Sequence, residues 1–173
     1  MRLFLLVMFW GLALVGITAC DTVRSGVDST LNMFSSGDEG PADVVRNAYA
    51  YQIVPGSNLP PPWSSAQRQK FFSKRMVTMF ISHEETGTDG KSALHFEFDP
   101  FVNAEDADVT NFAATLAAQD ENVSQVRATF LNKGKPTTLV FVLVQEEEGW
   151  RIDDVKSLDN EPKWVLSNLL KSS

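Results

Sequence analysis

The hydrophobic residues change their spacing once along the chain, and that change limits the folds open to it. From Pro41 to about His83 the apolar side chains recur every three or four positions. From Ser92 to Val155 they alternate or run together in short blocks. The first spacing places side chains on one face of a helix, and the second on one face of a strand. Helices gathered before strands predict an α+β domain, with N-terminal helices packed on a curved antiparallel sheet of four or five strands and a short C-terminal helix.

The elements follow from local chemistry. Asp38 and Glu39 put negative charge near a helix start, and Pro41 suits the first helical turn. Val44, Val45, Ala48, Tyr49 and Tyr51 then make an apolar stripe that should end before Pro55-Gly56. Asn58 to Pro62 predicts a stiff, extended connector packed under Trp63. Ser64 or Ser65 caps a second predicted helix running to His83, with Phe72, Met76, Met79, Phe80 and His83 on its apolar side. Arg68, Lys70, Lys74 and Arg75 lie mainly elsewhere, as a solvated face, as partners of acidic loop residues, or as contacts to anionic headgroups. His83 near the helix end opposes the macrodipole, a structural role.

Leu94, Phe96 and Phe98 alternate with His95, Glu97 and Asp99, predicting a half-buried strand. Phe112, Ala114, Leu116 and Ala118 predict a second, and Val126, Ala128 and Phe130 a third, joined by the Asp120-Glu121-Asn122 turn. Asn132-Lys133-Gly134-Lys135-Pro136 predicts a hairpin with glycine and proline in turn positions. Thr137 to Val144 is apolar enough for a central strand covered on both faces. Glu146 to Gly149 turns the chain into Trp150 to Val155, and a final helix is predicted from Pro162, holding Trp164, Val165, Leu169 and Leu170 against the body.

Residues 1–19 carry a different message. Arg2 precedes an apolar run from Leu3 to Val15, shorter than the roughly 20 residues of a membrane span. A charged start, a short apolar stretch and small residues describe an export signal. Its end, Ile17-Thr18-Ala19-Cys20, resembles the bacterial lipobox, in which an aliphatic residue and two small ones precede an invariant cysteine. The resemblance implies cleavage before Cys20, thioether lipidation of Cys20, acylation of the new amino terminus and anchorage in a lipid bilayer facing the periplasm or exterior. Cys20 is the single cysteine of the 173 residues. Its solitude rules out an internal disulfide or an all-cysteine metal site. Asp21 resembles the inner-membrane retention signal of many Gram-negative lipoproteins, which favours that membrane if the rule holds in the host. Residues 20–40 then read as the lipidated cysteine and a Ser/Gly-bearing tether of about 25 Å reach, and 41–173 as the folded domain.

Three features of this domain together are similar to a known family. They are the paired Tyr49 and Tyr51, Asp99-Pro100-Phe101 followed by Asp106, and the closing Trp150-Arg151-Ile152-Asp153-Asp154. They resemble exported bacterial proteins of the cone-shaped, nuclear-transport-factor-like superfamily, a cystatin-like α+β fold. In enzymes of that superfamily an aspartate or histidine inside the cone mouth acts as acid or base. No residue here occupies such a motif position, so the resemblance implies a fold and no activity.

The search for chemistry is short. No phosphate loop, nucleophile elbow or paired zinc-ligand spacing occurs, and the chain has two histidines. No cofactor or metal is expected. A net charge of −7, from 15 basic and 22 acidic residues, argues against nucleic acid as a partner. Between Lys91 and Arg127 there is no basic residue, while Asp99, Glu105, Asp106 and Asp108 crowd one stretch. Their spacing fails the calcium-loop pattern. With Trp150 and Arg151 on a possible rim, these residues are the candidate contacts for a protein or small ligand. The leading expectation is a membrane-anchored envelope lipoprotein that binds a ligand or partner without catalysis. A hydrolase- or isomerase-type cone enzyme and an envelope inhibitor of immunity type are the alternatives; the oligomeric state is left open.

Overall fold

A computed structural model describes residues 39–86, 96 and 98–171. The signal, Cys20, Asp21 and the tether as far as residue 38 lie outside the described residues. The fold is α+β, with an open five-stranded antiparallel sheet carrying its helices against one face.

The chain enters helix α1 (Pro41–Ala48) from Gly40, with Pro41 in the first turn and Asp43 near the positive end of the helix dipole. After Tyr49 it continues as α2 (Ala50–Ile53) and stops at Val54, one residue before Pro55. Val44, Val45, Ala48 and Tyr49 form the buried stripe the spacing predicts.

The second predicted helix is broken. A single turn, α3 (Arg68–Phe71), gives way to an extended Phe72, and only then does α4 (Lys74–Thr86) begin. The break has a tertiary cause. Phe72 bridges Ile152 in parallel, and the Ser73 N–H donates to the Ile152 carbonyl at 2.9 Å. The Ser73 hydroxyl accepts the Met76 N–H at 3.1 Å, so Ser73 serves as the cap in place of Ser64 or Ser65.

The predicted strand at Leu94–Phe98 is not seen among the described residues; 92–95 and 97 lie outside them. Phe96 meets Trp63 edge-on and Phe98 is tilted against Trp164, both half-buried, and among the described residues Asp99 bridges only Ala104. Of the apolar residues in that alternation only Phe96 and Phe98 are described, and each packs against a tryptophan.

Strands β1 (Val109–Gln119), β2 (Val123–Asn132), β3 (Lys135–Glu146) and β4 (Gly149–Ser157) form a meander whose neighbours in sequence are neighbours in the sheet. The β2–β3 turn is two residues, Lys133 at φ +49° and Gly134 at φ +75°, the conformation that matches strand twist in a tight hairpin. Pro136 lies within β3 opposite Leu131, and not in the turn. β3 is central, but among the described residues it is covered on one face only. Leu139, Phe141 and Leu143 are fully buried, whereas Val140, Val142 and Val144 are half-buried on the open side. On β1 the expected inward row holds only as far as Ala114; Leu116 is 50% exposed.

The final helix starts later than Pro162. Trp164–Val165 first form a short strand, β5, against β4, and α5 (Leu166–Leu169) follows. The Trp164 indole N–H donates to Asn103 at 2.6 Å, which holds this strand in place.

Between helices and sheet the volume is filled with rings. Phe101 touches Tyr49, Tyr51, Trp63, Phe72 and Phe141, with centroids 5.2–6.5 Å apart. Each such buried ring contributes about 1.5–3 kcal/mol by removal from water, plus the gain from edge-to-face geometry.

Candidate functional site

The candidate site centres on Asp99, a buried carboxyl that opens a tight loop. Its N–H donates to Ala104 O at 2.9 Å, and its own carbonyl accepts from Val102 and Asn103. The carboxylate accepts the Phe101 N–H at 2.7 Å, the Tyr51 hydroxyl at 2.8 Å and the Gln52 amide at 3.3 Å. The Tyr49 hydroxyl donates to Phe101 O at 2.7 Å from below. Asn103, at φ +57°, links the far side of the loop to Ser157 and Trp164. The paired tyrosines and the Asp-Pro-Phe motif thus form one assembly.

Burial pushes the Asp99 carboxyl up to about 6, against the pull of its three donors. Burial, and then the Asp99 charge, raise Tyr49 and Tyr51 well above the ordinary tyrosine range. An unfolded aspartate titrates near 3.9. The folded state therefore holds the extra proton between these two values, and the stability Asp99 confers is full below about pH 4 and lost as pH rises through about 6. On going from pH 7 to pH 4, the native protein should gain about 2–3 kcal/mol relative to Asp99→Asn. Denaturant titrations of both proteins at the two pH values measure it; parallel pH dependences would refute the buried charge.

The other candidates lie at two ends of the sheet. Glu105, Asp106 and Asp108 are exposed and strapped to the β2–β3 hairpin. Lys133 pairs with Asp106 at 2.9 Å, Asn132 donates to Asp106 O at 3.2 Å, and Asp108 N–H donates to Asn132 at 2.8 Å. Trp150 and Arg151 open β4 at the opposite end, where the Arg151 guanidinium reaches Trp150 O at 3.0 Å and Glu148 at 3.3 Å. Asp99 is turned inward and lies apart from both. No single pocket unites the six.

Two charged pairs were illegible in the sequence. Arg68 is buried and grips Glu84 with two bonds, at 3.0 and 2.6 Å. Arg75 clasps Asp153, which also accepts the Ser73 hydroxyl at 2.6 Å. Burial works against the Asp153 charge, but the bonds from Arg75 and Ser73 outweigh it and hold the carboxyl below its usual range. Arg68 and Arg75 therefore pair within the fold, and neither pairs with the acidic stretch. His83 lies three residues before the helix end, its Nδ1 at 3.2 Å from Leu170 O.

No protein-family model matches the chain, and no curated protein matches it. The cone-family likeness therefore rests on the residues named above. Among solved structures, the chain is similar to one from the type VI native effector–immunity complex Tae3–Tai3 of Ralstonia pickettii, at TM-score 0.49 and 14% identity, over 72% of this chain and 98% of that one. It is also similar to a phospholipid-binding protein of Ralstonia solanacearum in complex with a phospholipid, at TM-score 0.30 and 19% identity, over 76% of this chain and 60% of that one. Neither likeness is close enough to carry a neighbour's activity to this chain.

Proposed function

We propose that this chain is a lipid-anchored envelope protein that binds a protein partner on its outer surface and performs no catalysis of its own. The observation carrying the reading is the filled interior. Tyr49, Phe72, Phe101, Phe141 and Leu143 occupy the concave side of the sheet, each at most 1% exposed, where a ligand-binding cone would need space. The Asp99 carboxyl spends its bonds on its own loop and on Tyr51 and Gln52 of α2. Meanwhile large apolar side chains stand on the surface, with Ile81, Leu116, Val123 and Leu158 44–50% exposed.

Anchorage follows from the lipobox at Ile17–Cys20, with Asp21 favouring the inner membrane. Several acyl chains hold a protein to a bilayer firmly, whereas one does so only reversibly. Cys20→Ser should abolish lipid labelling and move the protein from the membrane to the soluble fraction; unchanged membrane association would remove the anchor from the reading. The partner is tested with a photoreactive residue placed in turn at Ile81, Leu116 and Leu158 of the full-length chain in its native envelope. At least one position should give a discrete protein adduct. Silence at all three would overturn surface binding.

A further inference from the structure

β1 is an edge strand with an unusual surface. It runs for 11 residues, Val109–Gln119, without a charge or a proline, and β2 is its only strand neighbour among the described residues. Edge strands expose a row of unpaired backbone N–H and C=O groups, and natural proteins usually guard them with lysine or proline. Here the guards are absent from the strand and the charge sits at its ends. Glu105, Asp106 and Asp108 precede it, and Asp120 and Glu121 follow. The nearby bases are Lys133, held by Asp106, and Arg127 on the next strand.

Two bulges shape this edge. Asn111, at φ +53°, and Phe112 together face the single Phe130, and Ala117 has no partner on β2. Between them Ala113 to Leu116 keep regular pairing with β2. The bulges bracket this regular stretch and define the register in which a further strand can enter. Ala113 presents only a methyl group on the exposed face, leaving room for a larger side chain beside it, while Ala114 packs into the core and Leu116 stands half exposed further along the strand.

We propose that β1 receives an extended segment of a basic protein, which adds a sixth strand through main-chain hydrogen bonds at Ala113–Leu116 and sets cationic side chains against the acidic ends. The proposal rests on the surface-partner reading and names its mode. A second copy of this chain is the wrong occupant. Antiparallel pairing of two β1 strands would set Asp106 and Asp108 against Asp120 and Glu121, and parallel pairing would set each acidic end against itself. Like charges across a strand pair destabilise it. Main-chain pairing gives affinity in strand addition, and the flanking charges give selectivity.

The test uses the full-length, isotope-labelled chain and three synthetic peptides: alternating Thr and Val capped by lysine pairs, the same core capped by glutamate pairs, and the lysine-capped form with a central proline. Amide shifts should concentrate on Val109–Gln119 with the first peptide. It should bind about tenfold more tightly than the glutamate-capped one at low salt, a gap that closes as salt rises. The proline-bearing peptide should not bind. Thr115→Lys, which sets a guarding charge inside the regular stretch, should remove binding with the unfolding midpoint retained; if that variant does not fold, Ala113→Lys decides in its place. Equal binding of both cappings, shifts lying elsewhere, binding that survives the edge variants, or a dimer with protected β1 amides would overturn the proposal. Photo-adducts from Ile81 or Leu158 with none from Leu116 would sink strand addition and leave surface binding standing, whereas silence at all three positions sinks both.

Discussion

Phe101→Ala should lower the unfolding free energy by about 3–5 kcal/mol. The ring is fully buried and has five aromatic neighbours drawn from both helical segments, the connector and the sheet. Few of them can move into the space it leaves. Tyr51 and Phe141 belong to regular elements, and Trp63 is fixed between Phe96 and Tyr51. The loss also reaches the loop, because Phe101 N–H and C=O hold Asp99 and Tyr49 in register. Domains of this size are stable by only about 5–15 kcal/mol, so the variant should sit close to its unfolding threshold. Phe112→Ala, at a half-buried ring near the open edge, serves as the contrast and should cost less. Denaturant midpoints of the two variants decide the matter. A cost below about 1.5 kcal/mol for Phe101→Ala would mean that the interior collapses easily or was never full.

Glu84→Ala should be nearly as damaging, at about 3–5 kcal/mol. Its carboxylate is the acid bonded to Arg68, whose side chain is 5% exposed beneath Phe80, the guanidinium 5.5 Å from the ring centre. The Arg68 Nε–H is already buried without a partner among the described residues. Removing Glu84 strands the whole cation in an apolar setting. Removing both charges is a different experiment, since a buried ion pair rarely outweighs a hydrophobic replacement of similar volume. Arg68→Met with Glu84→Leu should therefore recover most of the loss. Equilibrium unfolding of the single and double variants forms a cycle; a cost under about 1 kcal/mol for the single variant would show the pair to be well hydrated.

What could be read from the sequence was local. Pro41, Val54 before Pro55, and the Lys133-Gly134 turn are positions where backbone chemistry within a few residues settles the structure, and there expectation and structure agree. The misreadings lie where a distant residue intervenes. Nothing near Phe72 and Ser73 announces a helix break, which is made by Ile152 and Asp153 some 80 positions away. Asp99 looks like the first of a run of surface acids, and Tyr51 and Gln52, on a helix far earlier in the chain, hold it inward. The alternation at Leu116 and Ala118 matches that at Ala114, yet Ala114 is buried while Leu116 and Ala118 are exposed. Of the candidate contacts, Glu105, Asp106 and Asp108 lie on the surface as their charges suggest. The edge they flank is a property of the sheet order, which no local pattern encodes.

The central claim is that this domain works from its surface because its interior is full. The most direct measurement is thermal unfolding of the full-length chain titrated with decanoate and with a short-chain phosphatidylcholine below its micelle concentration, read together with the NMR signals of Leu139, Phe141 and Leu143. A ligand housed in the interior at a hundred times its dissociation constant would add about 2.7 kcal/mol, enough to raise the midpoint by several degrees. A filled interior leaves the midpoint within about 1 °C and the core signals in place, whereas a saturable rise accompanied by shifts of those three residues would contradict the account.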